Sequence, residues 1–352
     1  MKQPIGYYVH HHGDGHRQRA LAIAGAAPPG TFTLIGTGLA GRTEGLDCLD
    51  LPDDRLRADA QFQGLDEARH RPNALHYAPN HHAGVRKRVA MLTEWIEREQ
   101  PALMVIDLSV EIAMLARLAA TPTVYVRLGG LREDAAHLEA FRGAKALLAP
   151  FHPDLDDLET ANWVRARTQF YPGLTRVGQV RGDERRDNIL VVNGLGGSSA
   201  TGEELADAAR ATPSSSWRVI GPGSPPAAMP NNLTLLGWVE DAAAEIAAAG
   251  IVVGAAGDGL VTAVIATSRP FICLPQQRPF DEQVSKARRL AALGAAIVVD
   301  DWPTASKWPA LLASASALKP DSLTRLHDAK GARRAAEFLI ATAQEGLLHA
   351  PD

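Results

Sequence analysis

The sequence predicts an α/β protein built from two halves, each a parallel sheet flanked by helices. Three observations predict it. Short apolar runs of strand length alternate with helix-periodic stretches along nearly the whole chain. The alternation breaks once, over Phe170–Asp187, and then restarts. A chain of 352 residues, 46% apolar and 22% charged, has the size and composition of about two soluble globular domains.

In the first half, Ile5–Val9 reads as a strand, Arg17–Ala26 as a helix and Thr31–Ile35 as a second strand. Val85, Val89, Leu92 and Ile96 recur on one helical face, and Pro101 follows that helix. Leu103–Asp107 is a buried strand, Glu111–Ala119 helical, Thr123–Val126 extended, Asp134–Phe141 helical and Ala146–Ala149 extended. The break holds Pro172, Gly173, Gly178, Gly182 and a charge run from Arg181 to Arg186, the composition of an interdomain linker. Beyond it, Ile189–Val192 is a strand, Glu203–Arg210 a helix, and Trp217–Ile220 and Leu233–Leu236 are extended. Ala242–Ala248, Leu260–Ala266 and Asp281–Leu293 are helical, with Ile251–Val253, Phe271–Leu274 and Ala296–Val299 extended between and after them. Leu323–Leu347 closes the chain as a helix. Residues 1–170 are thus expected to form one domain, 171–188 the linker, 189–330 a second domain and 331–352 a terminal helix. Ala60–Gly84, with His70, His76, His81 and His82, has no period; it is either a solvated loop or a functional segment.

Composition excludes several classes. The formal net charge of −4 offers no basic footprint for a nucleic acid. Cys48 and Cys273 lie too far apart in sequence for a disulfide framework or zinc motif and fit a reducing cytoplasm. The first residues lack the apolar length of a signal peptide, and no window approaches the roughly 20 apolar residues of a membrane span. Any membrane contact is expected to be peripheral.

Four stretches carry candidate chemistry. His10–His16 joins the first strand to the first helix; Gly13 and Gly15 permit a tight turn and close backbone approach. The helix that follows offers free N–H groups and a positive end, and His16 at its start can take a proton near neutral pH. His10, His11 and His12 on a strand would alternate faces, and no carboxylate or cysteine pattern completes a metal site with them. Asp107, at a strand end, either holds such a histidine in one tautomer or caps the next helix, with Glu111 a weaker substitute. Asn193–Ser199, with Gly194 and Gly197, has the strand–glycine turn–helix geometry of a phosphate approach, which also serves as a plain connector. Gly254–Thr262 is a second helix start of that kind. Asp258 within it counts against a phosphate, since its charge repels one, and reads instead as a cap. Arg86-Lys87-Arg88 is either the solvated face of a helix or a contact for an anionic or lipid-linked acceptor.

Taken together, these pieces resemble glycosyltransferase family 28, the family of the peptidoglycan N-acetylglucosaminyltransferases. The likeness runs through Leu236-Gly237-Trp238-Val239-Glu240-Asp241, Ile251-Val252-Val253-Gly254, the Gly257 turn, Arg269–Pro275, Asp281-Glu282-Gln283 and Ala287. In the first half it rests on Gly13-Asp14-Gly15-His16 and Arg19–Ala22. The resemblance implies a GT-B fold, with two Rossmann-like domains facing a cleft and the terminal helix crossing back to the first domain. It implies an inverting, metal-independent hexosyltransferase that uses a nucleoside-diphosphate sugar, a UDP-sugar in the family, and no cofactor. By position, Trp238 and Val239 contact the nucleobase, and Gly194 and Gly197 line the donor cleft. Gly257, Asp258, Gly259 and Thr262 bring a helix start to the diphosphate, Glu282 and Gln283 reach the ribose or sugar, and Arg181 balances phosphate charge. His16 is the base and Asp107 its orienter; His12, Gly13 and Gly15 lie on the acceptor side. One departure stands out: the family's ribose-gripping glutamate falls on Ala263. The Gly15-His16 loop with Arg19 is also similar to the opening of the nucleotide-sugar hydrolase of pseudaminic acid synthesis, where His16 would activate water. Loss of the glutamate leaves a non-catalytic sugar-nucleotide-binding role as a third reading. The acceptor is not identified, and the expected location is the cytoplasm, at the inner membrane face if the acceptor is lipid-linked.

Overall fold

The structure, a computed structural model, describes residues 3–11, 14–55, 71–175, 185–194 and 200–348. The first sheet holds β1 (Ile5–Val9), β2 (Phe32–Gly36), β3 (Cys48–Asp50), β4 (Leu103–Asp107), β5 (Thr123–Val126), β6 (Ala146–Ala149) and β7 (Thr168–Phe170), in the order β3-β2-β1-β4-β5-β6-β7. Every pairing in it is parallel. Parallel strands are covered on both faces, which is why Leu103–Ile106 reads as an unbroken apolar run. Tyr7, Leu34 and Val105 enter one core with α1 (Gly15–Gly25). Tyr8, Ile35, Met104 and Ile106 enter the other, against α2 (Ala83–Glu99), α3 (Val110–Leu118) and α4 (Ala135–Gly143). The short helix α5 (Asn162–Ala166) precedes β7.

The second sheet repeats the plan with β8 (Arg185–Val192), β9 (Ser216–Ile220), β10 (Leu233–Gly237), β11 (Ala249–Gly254), β12 (Phe271–Cys273) and β13 (Ile297–Val298), in the order β10-β9-β8-β11-β12-β13, again all parallel. Its helices are α6 (Gly202–Ala211), α7 (Ala242–Ala248), α8 (Asp258–Thr267), α9 (Glu282–Ala292) and α10 (Trp308–Ser316). A capping box between Thr201 and Glu204 starts α6.

Some expectations need correcting. Arg185–Asp187 belong to strand β8, not to a linker; residues 176–184 lie outside the described ones. Leu323–Leu347 is not one helix: α11 (Asp321–Thr324) ends, and α12 (Gly331–Leu348) begins separately. A Cβ on Gly331 would stand 1.7 Å from the Pro172 carbonyl oxygen, so α12 starts in close backbone contact with the chain just beyond β7, where only glycine fits. From there Ala335, Ala336, Leu339 and Ala343 complete the core around β1 and α1. The elements missed outright, β3, β7, α5 and α10, are too short or too uniformly apolar to display a period.

One turn ties the halves together. Phe280 and Asp281, between β12 and α9, both have left-handed backbone, φ 63° and 51°. For side-chain-bearing residues this costs about 1–3 kcal/mol each. Contacts from the first half hold it: Leu131 N–H donates to the Phe280 carbonyl at 2.9 Å, and the Arg132 guanidinium lies 4.8 Å over the Phe280 ring. Arg132 also pairs with Glu282 at 3.0 Å. The approach needs a glycine at 130, where φ is +89° and a Cβ would stand 2.2 Å from the Phe280 oxygen. Gly130→Ala is therefore expected to cost about 2 kcal/mol or more. Gly143→Ala, whose Cβ would meet nothing nearer than 3.7 Å, should leave the melting temperature unchanged or raise it. Parallel thermal unfolding of the two variants checks this.

Candidate active site

In each sheet the strand order reverses at one place, between β1 and β4 and between β8 and β11. Loops leaving the carboxyl ends on either side of such a reversal diverge and open a crevice. Val9 and Asp107 are register partners at the first reversal; Val192 and Gly254 are partners at the second. Asp107 is one of these four residues, and His16, Gly194 and Gly257–Thr262 lie just beyond the others; Trp238 and Val239 follow β10, and Glu282 and Gln283 start α9.

Asp107 is fully buried at the end of β4. Its carboxylate is held from three sides. Arg19, three residues beyond His16 on α1, binds it with two nitrogens, Nε to Oδ2 and Nη2 to Oδ1, each at 2.9 Å. His16 Nδ1 lies 2.8 Å from Oδ1, and the Tyr7 hydroxyl donates to Oδ2 at 3.2 Å. Burial by itself would raise the Asp107 pKa, but the charge of Arg19, then that of His16 and the hydrogen bonds, outweigh it and hold the carboxyl well below its ordinary range. An imidazole nitrogen and a carboxylate oxygen at 2.8 Å need a proton between them, so Nδ1 carries it toward Asp107; Arg19 Nη2, 3.0 Å from the same Nδ1, then gives its N–H to the carboxylate rather than to the ring. The capping alternative for Asp107 fails, because Ser109 is the cap of α3 and accepts from Ile112 N–H. Glu111 does not stand in for Asp107. Its Oε1 accepts from the backbone N–H groups of His76 and Tyr77 at 2.7 and 2.8 Å, pinning that loop.

The histidine run behaves differently from a strand. β1 ends at Val9, so His10 and His11 do not alternate; their rings stack at 4.9 Å, and His10 lies 5.6 Å from the His16 ring. Gly15 and His16 are the first residues of α1, while His12 and Gly13 lie outside the described residues. Asp14 precedes α1, with its carboxylate bound by Arg17, Gln18 and Arg42.

Facing this cluster is the start of α8. Gly257 is its cap residue, and Asp258 does not cap: its carboxylate turns to Lys286 of α9. Gln283 is buried one turn before Lys286. Its Nε2 would lie 3.9 Å from a Cβ on Gly257, and its Oε1 accepts from Gln276 N–H at 3.0 Å. The Glu282 carboxylate is taken by Arg132. Gly259 is exposed, Thr262 half-buried, and Gly194 exposed beyond β8; Gly197 and Arg181 lie outside the described residues. Trp238, after β10, is 70% exposed, beside a half-buried Val239. Ala263 is buried in the core under α8. A cavity between the halves is lined by Phe151, His152, Gly173, Asp258, Thr262 and Lys286, among others.

Arg88 corrects the reading of the basic run as a solvated face. It is 3% exposed, donates to the Tyr8 hydroxyl at 2.6 Å and the Pro52 carbonyl at 2.7 Å, and pairs with Asp54 at 3.1 Å. Arg86 and Lys87 are exposed. Among the described residues, two side-chain trios are compact enough for a metal ion, His76–Asp134–His137 and His11–Asp53–Asp54. In the first, Arg132 donates to His137 Nε2 at 3.2 Å, so Nδ1 bears the proton and points it at Asp134, 2.6 Å away. In the second, Arg55 and Arg88 already answer the two carboxylates. The Asp-x-Asp stretch Asp154-Leu155-Asp156 is likewise taken, by Arg325 at 2.8 Å and by Arg127 at 2.9 Å.

No protein-family model matches the chain, and no curated protein matches it. Solved structures do. The chain is similar to the kitacinnamycin glycosyltransferase over 97% of this chain and 100% of that one, at 16% identity and TM-score 0.73. It is similar to the spinosyn rhamnosyltransferase SpnG, solved with thymidine diphosphate, over 95% and 100% of the two chains, at 15% identity and TM-score 0.64. It is similar to MurG of Acinetobacter baumannii over 97% and 100%, at 15% identity and TM-score 0.62. At such identities the likeness establishes the fold, and the fold is GT-B. No described helix is long and apolar enough to cross a membrane.

Acid should expose the buried histidine. Burial, then the charge of Arg132, lower the His137 pKa from 6.5 to about 4. With the folded value the lower one, the unfolded chain takes the proton first as pH falls. Stability is therefore lost between about 6.5 and about 4. The contribution of Asp107 persists through that window, because its folded value is depressed, and fades only below the ordinary carboxylate range. Urea midpoints at pH 7.5, 6 and 4.5 should fall for the parent chain and fall less for His137→Gln.

Proposed function

We propose that this chain is an inverting glycosyltransferase that moves a sugar from a nucleoside-diphosphate donor, uridine diphosphate in the first instance, to an acceptor hydroxyl. The observation that carries the reading is His16. Its Nδ1 is fixed by the buried Asp107–Arg19 pair, and it lies at the crevice edge of one sheet opposite the helix start of the other, in a GT-B fold. A neutral imidazole oriented through Nδ1–H presents Nε2 as a base. In the proposed step Nε2 takes the proton of the acceptor hydroxyl and the oxygen attacks the anomeric carbon from the face opposite the leaving group. The bond from that carbon to the phosphate oxygen breaks, and the diphosphate departs with the electron pair. On this reading no metal is needed, because the α8 start and neighbouring cations meet the charge of the diphosphate.

The donor set proposed is Trp238 and Val239 at the base, Gly194 and Gly197 along the cleft, Gly257, Asp258, Gly259 and Thr262 at the phosphates, and Glu282 and Gln283 at the sugar, with Arg181 beside the phosphates. The exposed indole of Trp238 supports the first assignment, since a large aromatic ring in water beyond the carboxyl end of β10 is an available stacking surface. With Ala263 buried and apolar, the ribose takes no carboxylate from α8; base stacking and the sugar-side groups then carry more of the selectivity. His12, Gly13 and Gly15 are proposed to face the acceptor.

Thermal shift against the common nucleoside diphosphates comes first: a ligand at about a hundred times its dissociation constant stabilises by roughly 2.7 kcal/mol. Transfer is then assayed with the matching sugar donor. His16→Ala is expected to lower kcat by about 10²–10⁴-fold while the nucleotide-induced shift survives. Trp238→Ala should weaken nucleotide binding about tenfold, within the roughly 1–3 kcal/mol of a base stack. Release of free sugar without an acceptor would assign the site to hydrolysis, and absence of any shift would move it to a non-catalytic role.

A further inference from the structure

We propose that Asp258 is an internal stand-in for the donor's phosphate: it neutralises the buried Lys286 at the mouth of α8, and a nucleoside diphosphate binds by taking Lys286 from it. The inference rests on the donor reading above. It begins with a carboxylate in the wrong place. Asp258 is the first residue of a ten-residue helix whose cap is Gly257, so it is not in the capping position itself. It bonds to Lys286 Nζ instead, which also donates to the Ala256 carbonyl at 3.3 Å. The Lys286 side chain is 6% exposed, reaches the crevice from α9, and ends where a Cβ on Gly129 of the opposite half would stand 4.0 Å from its Cε. Both residues line the cavity between the halves, and the charge of Asp258 acts across it on Arg19 and His16.

Counting charges sharpens the point. Among the described residues, three deeply buried cations face this crevice, and each has one carboxylate: Arg19 has Asp107, Arg132 has Glu282 and Lys286 has Asp258. Beyond Arg181, which the donor reading places beside the phosphates, a diphosphate entering this arrangement meets no surplus of positive charge from these three pairs, and it meets Asp258 at the helix start where its own oxygens would sit. A further cation comes only from a pair that opens. The Asp107 carboxylate has no exposure and bidentate bonds. Arg132 is further fixed by Phe280 and His137. The Asp258 side chain is 26% exposed and bonded to a single flexible ammonium. It is the carboxylate that can yield, and Lys286 is the cation thereby released to phosphate.

The test uses the full chain with uridine and thymidine diphosphates and the corresponding nucleosides as probes, by titration calorimetry. Asp258→Asn should bind whichever diphosphate the parent binds about tenfold tighter, and Lys286→Met about tenfold weaker, the scale of one charge pair across a partly solvated site. Affinity for the nucleoside should change in neither variant. Asp258→Asn leaves an ammonium buried without a carboxylate, so Asp258→Asn/Lys286→Met is included as the charge-neutral, well-folded control. It should bind diphosphate more tightly than Lys286→Met, which keeps the repelling carboxylate, and more weakly than Asp258→Asn, which keeps the ammonium. The proposal is overturned if Asp258→Asn binds diphosphate no tighter than the parent, or if nucleoside and diphosphate affinities move together. Should the parent bind diphosphate with Asp258→Asn unchanged, this inference fails alone; should neither bind any diphosphate, the donor reading fails with it.

Discussion

A carboxylate with no solvent exposure costs several kcal/mol unless positive charge and hydrogen bonds meet it, and the carboxyl edge of the first sheet is arranged around meeting Asp107. β4 carries it to the strand end, β1 supplies the Tyr7 hydroxyl beneath it, and α1 supplies Arg19 and His16 one turn apart. These demands fix where α1 begins. Were the helix to start two residues later, as Arg17–Ala26 would have it, His16 would leave the face that Arg19 occupies. The Tyr7 hydroxyl, buried against the same carboxylate, is held well above its ordinary pKa and stays neutral. The His16 Nδ1–H and the Tyr7 O–H thus share one anion, and Arg19 keeps that anion from taking a proton itself.

The second organising feature is the strained turn at Phe280 and Asp281. Its backbone is one that isolated side-chain-bearing residues seldom hold, and the contacts that hold it come from the other half of the molecule. It also stands immediately before Glu282, Gln283 and, one turn on, Lys286. The placement of those side chains is therefore conditional on the two halves being together. Ser285 bonding to Asp157 and Arg289 donating to the Asp154 carbonyl at 3.0 Å extend the same helix-long attachment.

Much of this was legible in the sequence, and what was not has definite causes. The strands of both sheets announce themselves because parallel strands, buried on two faces, are written as unbroken apolar runs. Asp107 and His16 were visible because each ends or begins an element at a loop that must face a crevice. Arg19 was readable in principle: it falls at i+3 from His16, on the helix face that also buries Ala20 and Ile23. Lys286 gave the same signal, lying three residues after the buried Gln283 and next to the buried Ala287 on α9. Charged residues on an apolar helical face are easily taken as noise, although burial makes them the informative ones. Arg88 was misread for that reason. By contrast, the pairing of Phe280 with Arg132, 148 positions away by subtraction of their numbers, has no local trace, because backbone strain is set by a partner that no window contains.

Ala263, where the resembled family carries a ribose-binding glutamate, and Asp258 lie five positions apart on one helix and bear on one problem of the proposed donor site. Replacing a ribose-binding carboxylate with a buried methyl removes a specific contact, while placing a carboxylate at the helix start opposes a general one. Both weaken any ligand that binds through ribose hydroxyls and phosphate charge alone. On the donor reading, such a site discriminates by what else the ligand brings, namely a base for the exposed Trp238 and a sugar for the region of Gln283. A nucleoside diphosphate that has given up its sugar then keeps the base and phosphate contacts and loses those of the sugar. Against it stands the Asp258 carboxylate, tethered beside the same ammonium at high effective concentration.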